Sequence, residues 1–365
     1  MYYYFVLNHP AHYHLFKYTI LDLKRLGHQC DIFIRPKDVL KRLLDKDETI
    51  YITLSNLEKN ERRILFSSIL GLMKKDFELA KYILKRKPDL MIGTDWAITN
   101  LGRIFNIPSL VFNEDDTFAT PENKIFYPLA KNLVLPDCCD KGLWKQKRIS
   151  YAGYHELAYL HPKRFNIDNE VIQNHFSSQK PYIIIRLVKL TASHDKGKRG
   201  LGFQLLDQII EKYKDQFQIL ISFEREMNNK YLKYNYNFDP NLMHHFLAGA
   251  HLVIGDSQTM IAEAAVLGTP SIRFNDFVGK LSYLEELEHK YGLTYGFKSN
   301  EKEKFLLKIE ELLAISDLKN LWQTKLRNMY KDKIDVTAFM VWFIENYPQS
   351  LKIVKENPDY QYNFK

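Results

Sequence analysis

At 365 residues, 45% hydrophobic and 26% charged, the chain has the composition of a globular protein, and its length suits two domains of roughly 160–200 residues. Three cysteines, of which Cys138 and Cys139 are adjacent, give neither a disulfide framework nor a zinc-ligand spacing, and no run of about 18 apolar residues is present to span a membrane. The net charge of +8 is uneven: residues 1–163 hold 25 Lys and Arg against 19 Asp and Glu, and residues 59–87 alone hold nine against three. That balance suggests anionic partners, but no interleaved aromatic and basic motif of the RNA-binding kind accompanies it, so nucleic acid is not expected.

The first residues are too short for a signal segment and lack a basic flank, so they read as a strand, Tyr2 to Leu7, and the cytoplasm is the expected location. His12 to Leu26 reads as a helix with Leu15, Phe16, Thr19 and Leu23 on one side and Gly27 as its stop, followed by a strand over Gln29 to Ile34. A βαβ unit at the start predicts a parallel sheet. Thr49 to Leu54 is a candidate third strand. Asn60 to Arg86 is a basic helical region with a break expected near Ser67 to Gly71. Its mixture of Lys, Arg and large apolar residues makes an anionic membrane surface a candidate partner; a crossover helix with a solvated face is the plain alternative. Strands follow over Pro88 to Asp95 and Pro108 to Phe112, the second running into Asn113-Glu-Asp-Asp116, then over Asn132 to Leu135 and Arg148 to Ala152.

Gly153 to Arg164 reads as a passage between domains, with Tyr154 and Glu156 as candidate hinge or cleft residues. A new run begins with a buried strand, Tyr182 to Val188. A polar loop over Thr191 to Gly202 follows, then a helix over Phe203 to Tyr213, a strand over Phe217 to Ser222 and a short helix over Asn241 to Gly249. From Leu281 onward the chain reads as mainly helical. The expected division is a first domain over 1–160, a second over 165–340, and a tail over 341–365 packing back on the first.

The most informative stretch is Leu252 to Phe274, which reads as strand, tight turn, helix, stop and strand. Asp256, Ser257 and Thr259 are cap-type residues, Gly268 suits the position after the helix, and Pro270 prevents its continuation. A helix that starts at the end of a buried strand points unpaired N–H groups and a positive dipole end outward, which suits a phosphate. An ordinary capped crossover has the same pattern. Glu263, one turn after Thr259, is placed to accept from sugar hydroxyls. Arg186, near the end of the first strand of the second half, suits either a pyrophosphate or an ion pair.

In the first half, His9, His12 and His14 fall between strand and helix, where α/β sheets bind ligands. Each is a candidate general base, and capping or packing is the alternative. No HExxH spacing or neighbouring Cys supports a metal. Asp95, Glu114 and Asp115 also follow strands and are candidate bases or hydroxyl ligands; His14, Glu114 and Asp115 are grouped with the cleft. Walker, GxGxxG and GxSxG motifs are absent, so no nicotinamide or other cofactor is expected.

Asn8-His-Pro-Ala-His-Tyr-His-Leu-Phe16, Val111-Phe-Asn-Glu-Asp-Asp116, Tyr151-Ala-Gly-Tyr-His-Glu-Leu-Ala-Tyr-Leu-His-Pro162 and the stretch from Gly255 to Pro270 occur in this order. Together they resemble the domain-of-unknown-function family 354. The resemblance implies a GT-B-like α/β fold, two Rossmann-like domains with parallel sheets facing across a cleft, similar in outline to UDP-N-acetylglucosamine 2-epimerases and the lipid II-forming glycosyltransferase. It implies that Ser257, Gln258 and Thr259 hold a nucleotide diphosphate and Glu263 a ribose. The activity implied is transfer of a sugar from a nucleotide sugar to a glycan or polyprenyl-linked acceptor in surface polysaccharide synthesis, with His9, His12 or Asp95 deprotonating the acceptor and no metal. Epimerisation or hydrolysis of the same donor, and binding without chemistry, are the alternatives. The chain departs from the family's Gly-rich turn at Asp256-Ser-Gln-Thr259, where Asp256 is expected to repel a phosphate; Asn8 and Leu187 are further departures.

Overall fold

The computed structural model describes residues 1–35, 38–54, 64–94, 96–120, 123–176, 180–189 and 200–365. They form two units: residues 1–117, 121–159 and 334–365, and residues 118–120 and 160–333.

The first unit is built on a parallel sheet. Its strands are β1 (Tyr2–Leu7), β2 (Gln29–Ile34), β3 (Ile52–Thr53), β4 (Leu90–Gly93), β5 (Ser109–Phe112), β6 (Asn132–Pro136) and β7 (Arg148–Tyr151), in the order β3-β2-β1-β4-β5-β6-β7. All six residues of β1 are buried, as expected of a central parallel strand covered on both faces. Helix α1 (Pro10–Arg25) returns the chain to β2 in register, from Tyr2 opposite Gln29 to Leu7 opposite Ile34. Its buried side, Tyr13, Phe16, Ile20 and Leu23, repeats every three or four residues, and Gly27 at φ +84° ends it. Helices α2 (Asp38–Lys46), α3 (Ile64–Lys85), α4 (Trp96–Ile104) and α5 (Asn123–Phe126) complete the crossovers. The break expected near Ser67 is not there: α3 runs unbroken.

Helix α6 (Leu157–Leu160) follows β7, and α7 (Asn169–His175) opens the second unit. Its sheet holds β8 (Tyr182–Leu187), β9 (Gln218–Phe223), β10 (Leu252–Gly255), β11 (Ser271–Phe274) and β12 (Thr294–Phe297), ordered β12-β11-β10-β8-β9 with every pairing parallel. Helices α8 (Phe203–Tyr213), α9 (Met243–Gly249), α10 (Gln258–Val266), α11 (Ser282–His289), α12 (Lys302–Leu313) and α13 (Leu318–Asp332) join or follow these strands. Strand β12 corrects the mainly helical reading after Leu281. Four residues are too few to show a two-residue period, and the pairing of Thr294 to Phe297 with Ser271 to Phe274 decides their state.

The second unit ends at Lys333, not near residue 340. Lys333 is buried with its ammonium on Glu286 (2.6 Å), within the second unit. At the next residue the ties change: Ile334 N donates to Ala152 O (3.0 Å), and Asp335 caps α14 (Val336–Glu345). Thr337 Oγ1 then donates to Ala158 O (2.6 Å), so α14 and α15 (Gln349–Glu356) belong to the first unit.

Candidate functional site

Each sheet reverses its strand order once, between β1 and β4 in the first unit and between β8 and β10 in the second. Open α/β sheets bind ligands beyond the carboxyl ends of strands at such a reversal. Both reversals need a glycine. A Cβ on Gly93 would lie 2.7 Å from Val6 O, and one on Gly255 2.6 Å from Arg186 O. The adjoining strand is backbone there and cannot yield, so no side chain fits.

At the first reversal, His9 caps α1, its Nδ1 accepting from Ala11 N (3.2 Å), and Pro10 begins the helix. His12 Nδ1 accepts from Asn8 N (3.2 Å), and the ring meets Thr94 Oγ1 at 2.8 Å. The loops after β1 and β4 are thus joined through His12 and Thr94. Asp95, the next residue, lies outside the described residues. His14 stacks on Tyr159 (5.1 Å between centroids, 29°).

Beyond β5, Asn113 Oδ1 accepts from the backbone N–H groups of Glu114 (2.8 Å) and Asp115 (3.1 Å), a side-chain turn that fixes the start of the acidic run. Its last member, Asp116, is structural and accepts from Asp140 N (2.6 Å). Glu114 turns inward: Oε2 accepts from His155 N (3.1 Å), and Oε1 lies 3.5 Å from His155 Nδ1. Burial pushes the Glu114 carboxyl well above the usual range, and the negative charges of Glu156 and Asp115 add to this. Burial pushes His155 down to about 3, so its ring is neutral at pH 7. Glu156, Tyr154 and Tyr151 are buried beside them. Tyr151 Oη and His155 Nε2 are buried with no hydrogen-bond partner among the described residues. Two carboxyls, an imidazole that burial keeps neutral and a phenol therefore gather past β5 and at the end of β7, in an environment that raises the proton affinity of Glu114. Tyr151, His155 and Thr94 were not singled out from sequence. His155 stood in the quoted Tyr151–Pro162 motif, but nothing local reported its pairing with a residue 41 positions away.

At the second reversal, Ser257 caps α10, its Oγ accepting from Met260 N (3.3 Å). The amides of Gln258 and Thr259, in the first turn, have no acceptor within the helix. From Leu252 to Val266 every residue is buried except Ser257, Gln258 and Thr259. The stretch shows the surface only its turn.

Two expectations change here, for Asp256 and Glu263, and Arg186 takes one of its two alternatives. Asp256 does not face a phosphate at the surface. Its side chain is fully buried and accepts from Val188 N (2.7 Å) and Leu201 N (3.3 Å), with Arg225 at 3.8 Å. Burial raises its carboxyl to about 6, against the opposing pull of those amides and Arg225. Arg186 is engaged by Ser222 and Glu224 on the neighbouring strand β9 and just past it, the ion-pair alternative, because its register opposite Ser222 puts both side chains on one face. Glu263 is buried and holds His244 Nε2 (3.1 Å) instead of standing open on the helix. His244, on α9, gave no signal in sequence as its partner.

The two sheets and their reversals define a GT-B-like fold, two parallel-sheet α/β units. The chain belongs to the family described as "Protein of unknown function (DUF354)", whose model matches residues 4–284. It is 24% identical over 282 residues, 73% of this chain and 79% of the other, to an uncharacterized protein of Methanocaldococcus jannaschii. Its fold is similar to that of a glycotransferase of kitacinnamycin (TM-score 0.63, 10% identity, 94% of this chain and 98% of that one). It is similar to the same degree to the UDP-GlcNAc 2-epimerase of Neisseria meningitidis, solved with UDP-GlcNAc bound (TM-score 0.62, 13% identity, 88% and 94%). Among the described residues, no helix is long and apolar enough to cross a membrane.

Proposed function

We propose that the chain binds a nucleoside diphosphate sugar at the β10–α10 turn and transfers its sugar to a hydroxyl of a glycan or lipid-linked acceptor, in the synthesis of a surface polysaccharide. The observation that carries this reading is the partial exposure of Ser257, Gln258 and Thr259 alone in a buried strand–turn–helix at the reversal of the second sheet. The free first-turn amides and the dipole end of α10 suit a diphosphate in the bound donor and as leaving group. The inward turn of Asp256 removes the repulsion expected at the surface. With Arg186 engaged elsewhere, the amides carry the diphosphate. Glu263, tied to His244, reaches a ribose by exchanging that partner. His12, beside Thr94, is the base we assign to the acceptor hydroxyl: its Nδ1 takes the proton by exchanging the Asn8 N–H it accepts from. The likeness in fold to a sugar transferase agrees with this reading.

A second reading, epimerisation of the donor sugar, is favoured by one observation: the half-buried Glu114 and His155 grouped with the buried Glu156 and Tyr151. A carboxyl whose proton affinity is raised is suited to give and retake a proton, which transfer with a diphosphate leaving group does not require. The UDP-GlcNAc bound to the Neisseria epimerase names the first donor to try.

The test is NMR and mass spectrometry of a nucleotide-sugar panel incubated with the protein, with and without a soluble or polyprenyl-linked glycan. Acceptor-dependent release of nucleoside diphosphate is expected. Acceptor-independent inversion at C2 would replace transfer by epimerisation. Binding with no turnover across the panel would leave a binding protein.

A further inference from the structure

At the opposite edge of the first sheet, where β5, β6 and β7 begin, lies a cavity of about 280 Å³. Its cations come from three separate segments: Arg103 from the last turn of α4, Lys131 from the residue before β6, and Lys147 from the residue before β7. The strand registers bring them together. Leu110 lies opposite Asn132 and Leu133 opposite Arg148, so the preceding residues share one edge. Thr99, Asn106 and Ser109 add polar groups, and no carboxylate lines the cavity among the described residues. Four-residue strands separate this edge from Glu114 by on the order of 13 Å, so it is not part of the candidate site.

The cations are arranged unequally. Lys147 is fixed, its Nζ donating to the carbonyls of Tyr127 (3.3 Å) and Pro128. Arg103 and Lys131 are exposed and have no carboxylate partner among the described residues. Burial and the neighbouring charge of Arg103 both lower the proton affinity of Lys147, so these two cations are close enough to repel, and no carboxylate lines the cavity among the described residues. A bound anion would relieve that repulsion. The volume, about nine waters' worth, admits a phosphate or a diphosphate but not a folded chain.

We infer that the cavity lined by Arg103, Lys131 and Lys147 is a second anion site of this protein, for the phosphate group of a phosphate-bearing ligand. The guanidinium of Arg103 offers a two-pronged contact and the lysines point charges. The phosphate has two chemical sources, a soluble phosphate ester or a lipid headgroup; Ile104, exposed beside Arg103, suits the second.

The test uses the full chain carrying Thr259→Asp, which weakens binding at the α10 turn, with and without Arg103→Gln and Lys131→Gln. Both added changes are at exposed positions, and an unchanged melting temperature will show that the fold is kept. Inorganic pyrophosphate is titrated by calorimetry at low salt. In parallel, phosphatidylcholine vesicles with and without phosphatidic acid are sedimented with the protein. Saturable pyrophosphate binding that weakens at least about tenfold in the Arg103→Gln, Lys131→Gln protein supports the site with a soluble source. Phosphatidic-acid-dependent sedimentation lost in the same protein supports it with a lipid source. Failure of both ligands to bind, or binding that the two substitutions leave unchanged, overturns it.

Discussion

The two strand-order reversals share their backbone solution and differ in their chemistry. At each, a glycine lies against a carbonyl of the strand across the reversal, Gly93 on Val6 of β1 and Gly255 on Arg186 of β8. The first unit surrounds its reversal with groups that titrate: His12 on Thr94, and beyond β5 the Glu114, His155 and Glu156 group. The second unit offers a helix end and its amides, and among the described residues it ties the nearby charges to protein partners: Asp256 to Val188 and Leu201 and Glu263 to His244 in the interior, Arg186 to the exposed Glu224. On the proposed reading, the same topology serves proton chemistry in one unit and anion recognition in the other. The difference lies in what the loops carry, not in the sheets.

The largest effect is expected where the second unit hides its charge. Asp256→Ala strips the acceptor from two buried amides and leaves Arg225 without its carboxylate. We expect a loss of about 2–4 kcal/mol in urea unfolding of the second unit, and a shift of under about 1 kcal/mol would deny that Asp256 is a latch. Gly255→Ala and Gly93→Ala should each cost about 1–3 kcal/mol, because the new methyl meets backbone and not a flexible side chain. If only one is destabilising, the shared backbone solution fails.

Thr259→Asp puts a carboxylate at the mouth of α10. We expect uridine diphosphate affinity to fall by roughly 10- to 100-fold, and His12→Ala to leave it unchanged; calorimetry on both variants separates recognition from chemistry. Equal losses would erase the contrast between the units.

The smallest effect is a slope. The folded-state pKa of Glu114 lies above its unfolded value, so the native state holds a proton that the unfolded state releases. The stability associated with Glu114 is then fully present below the usual Glu range and is lost as pH rises through the raised value. His155, lowered to about 3, acts in the opposite sense: its contribution is present above pH 6.5 and is lost as pH falls towards 3. Glu114→Gln should flatten the neutral-side decline and His155→Gln the acid-side one. Stability measured between pH 4 and 8 that is indifferent to Glu114→Gln would mean that its carboxyl is not held protonated.

Local pattern was enough for much of this molecule. The run Tyr2 to Leu7, the helix before Gly27 and the cap-and-stop signals from Ser257 to Gly268 each concern neighbours within a turn or a strand, and each element is present. The parallel character of both sheets followed from strands alternating with helices. Short strands without a period were harder: Ile52–Thr53 shrank from a longer expectation, and Thr294–Phe297 was not foreseen.

The sequence by itself determined where the loops lie, because strand and helix signals are local and loops are what remains between them. It therefore placed Glu114, Ser257 and the histidine turn beyond strand ends. Only the tertiary structure decided which way their side chains turn. Asp256 and Thr259 look alike in sequence as polar residues flanking a cap, yet one is buried and the other partly exposed. The choice rests on amides at Val188 and Leu201, more than fifty residues away, which need an acceptor once they are out of water. The pairing of Glu114 with His155 and the gathering of Arg103, Lys131 and Lys147 were set in the same way. Strand register brings distant residues to one edge, and no pattern within a turn or a strand reports that register.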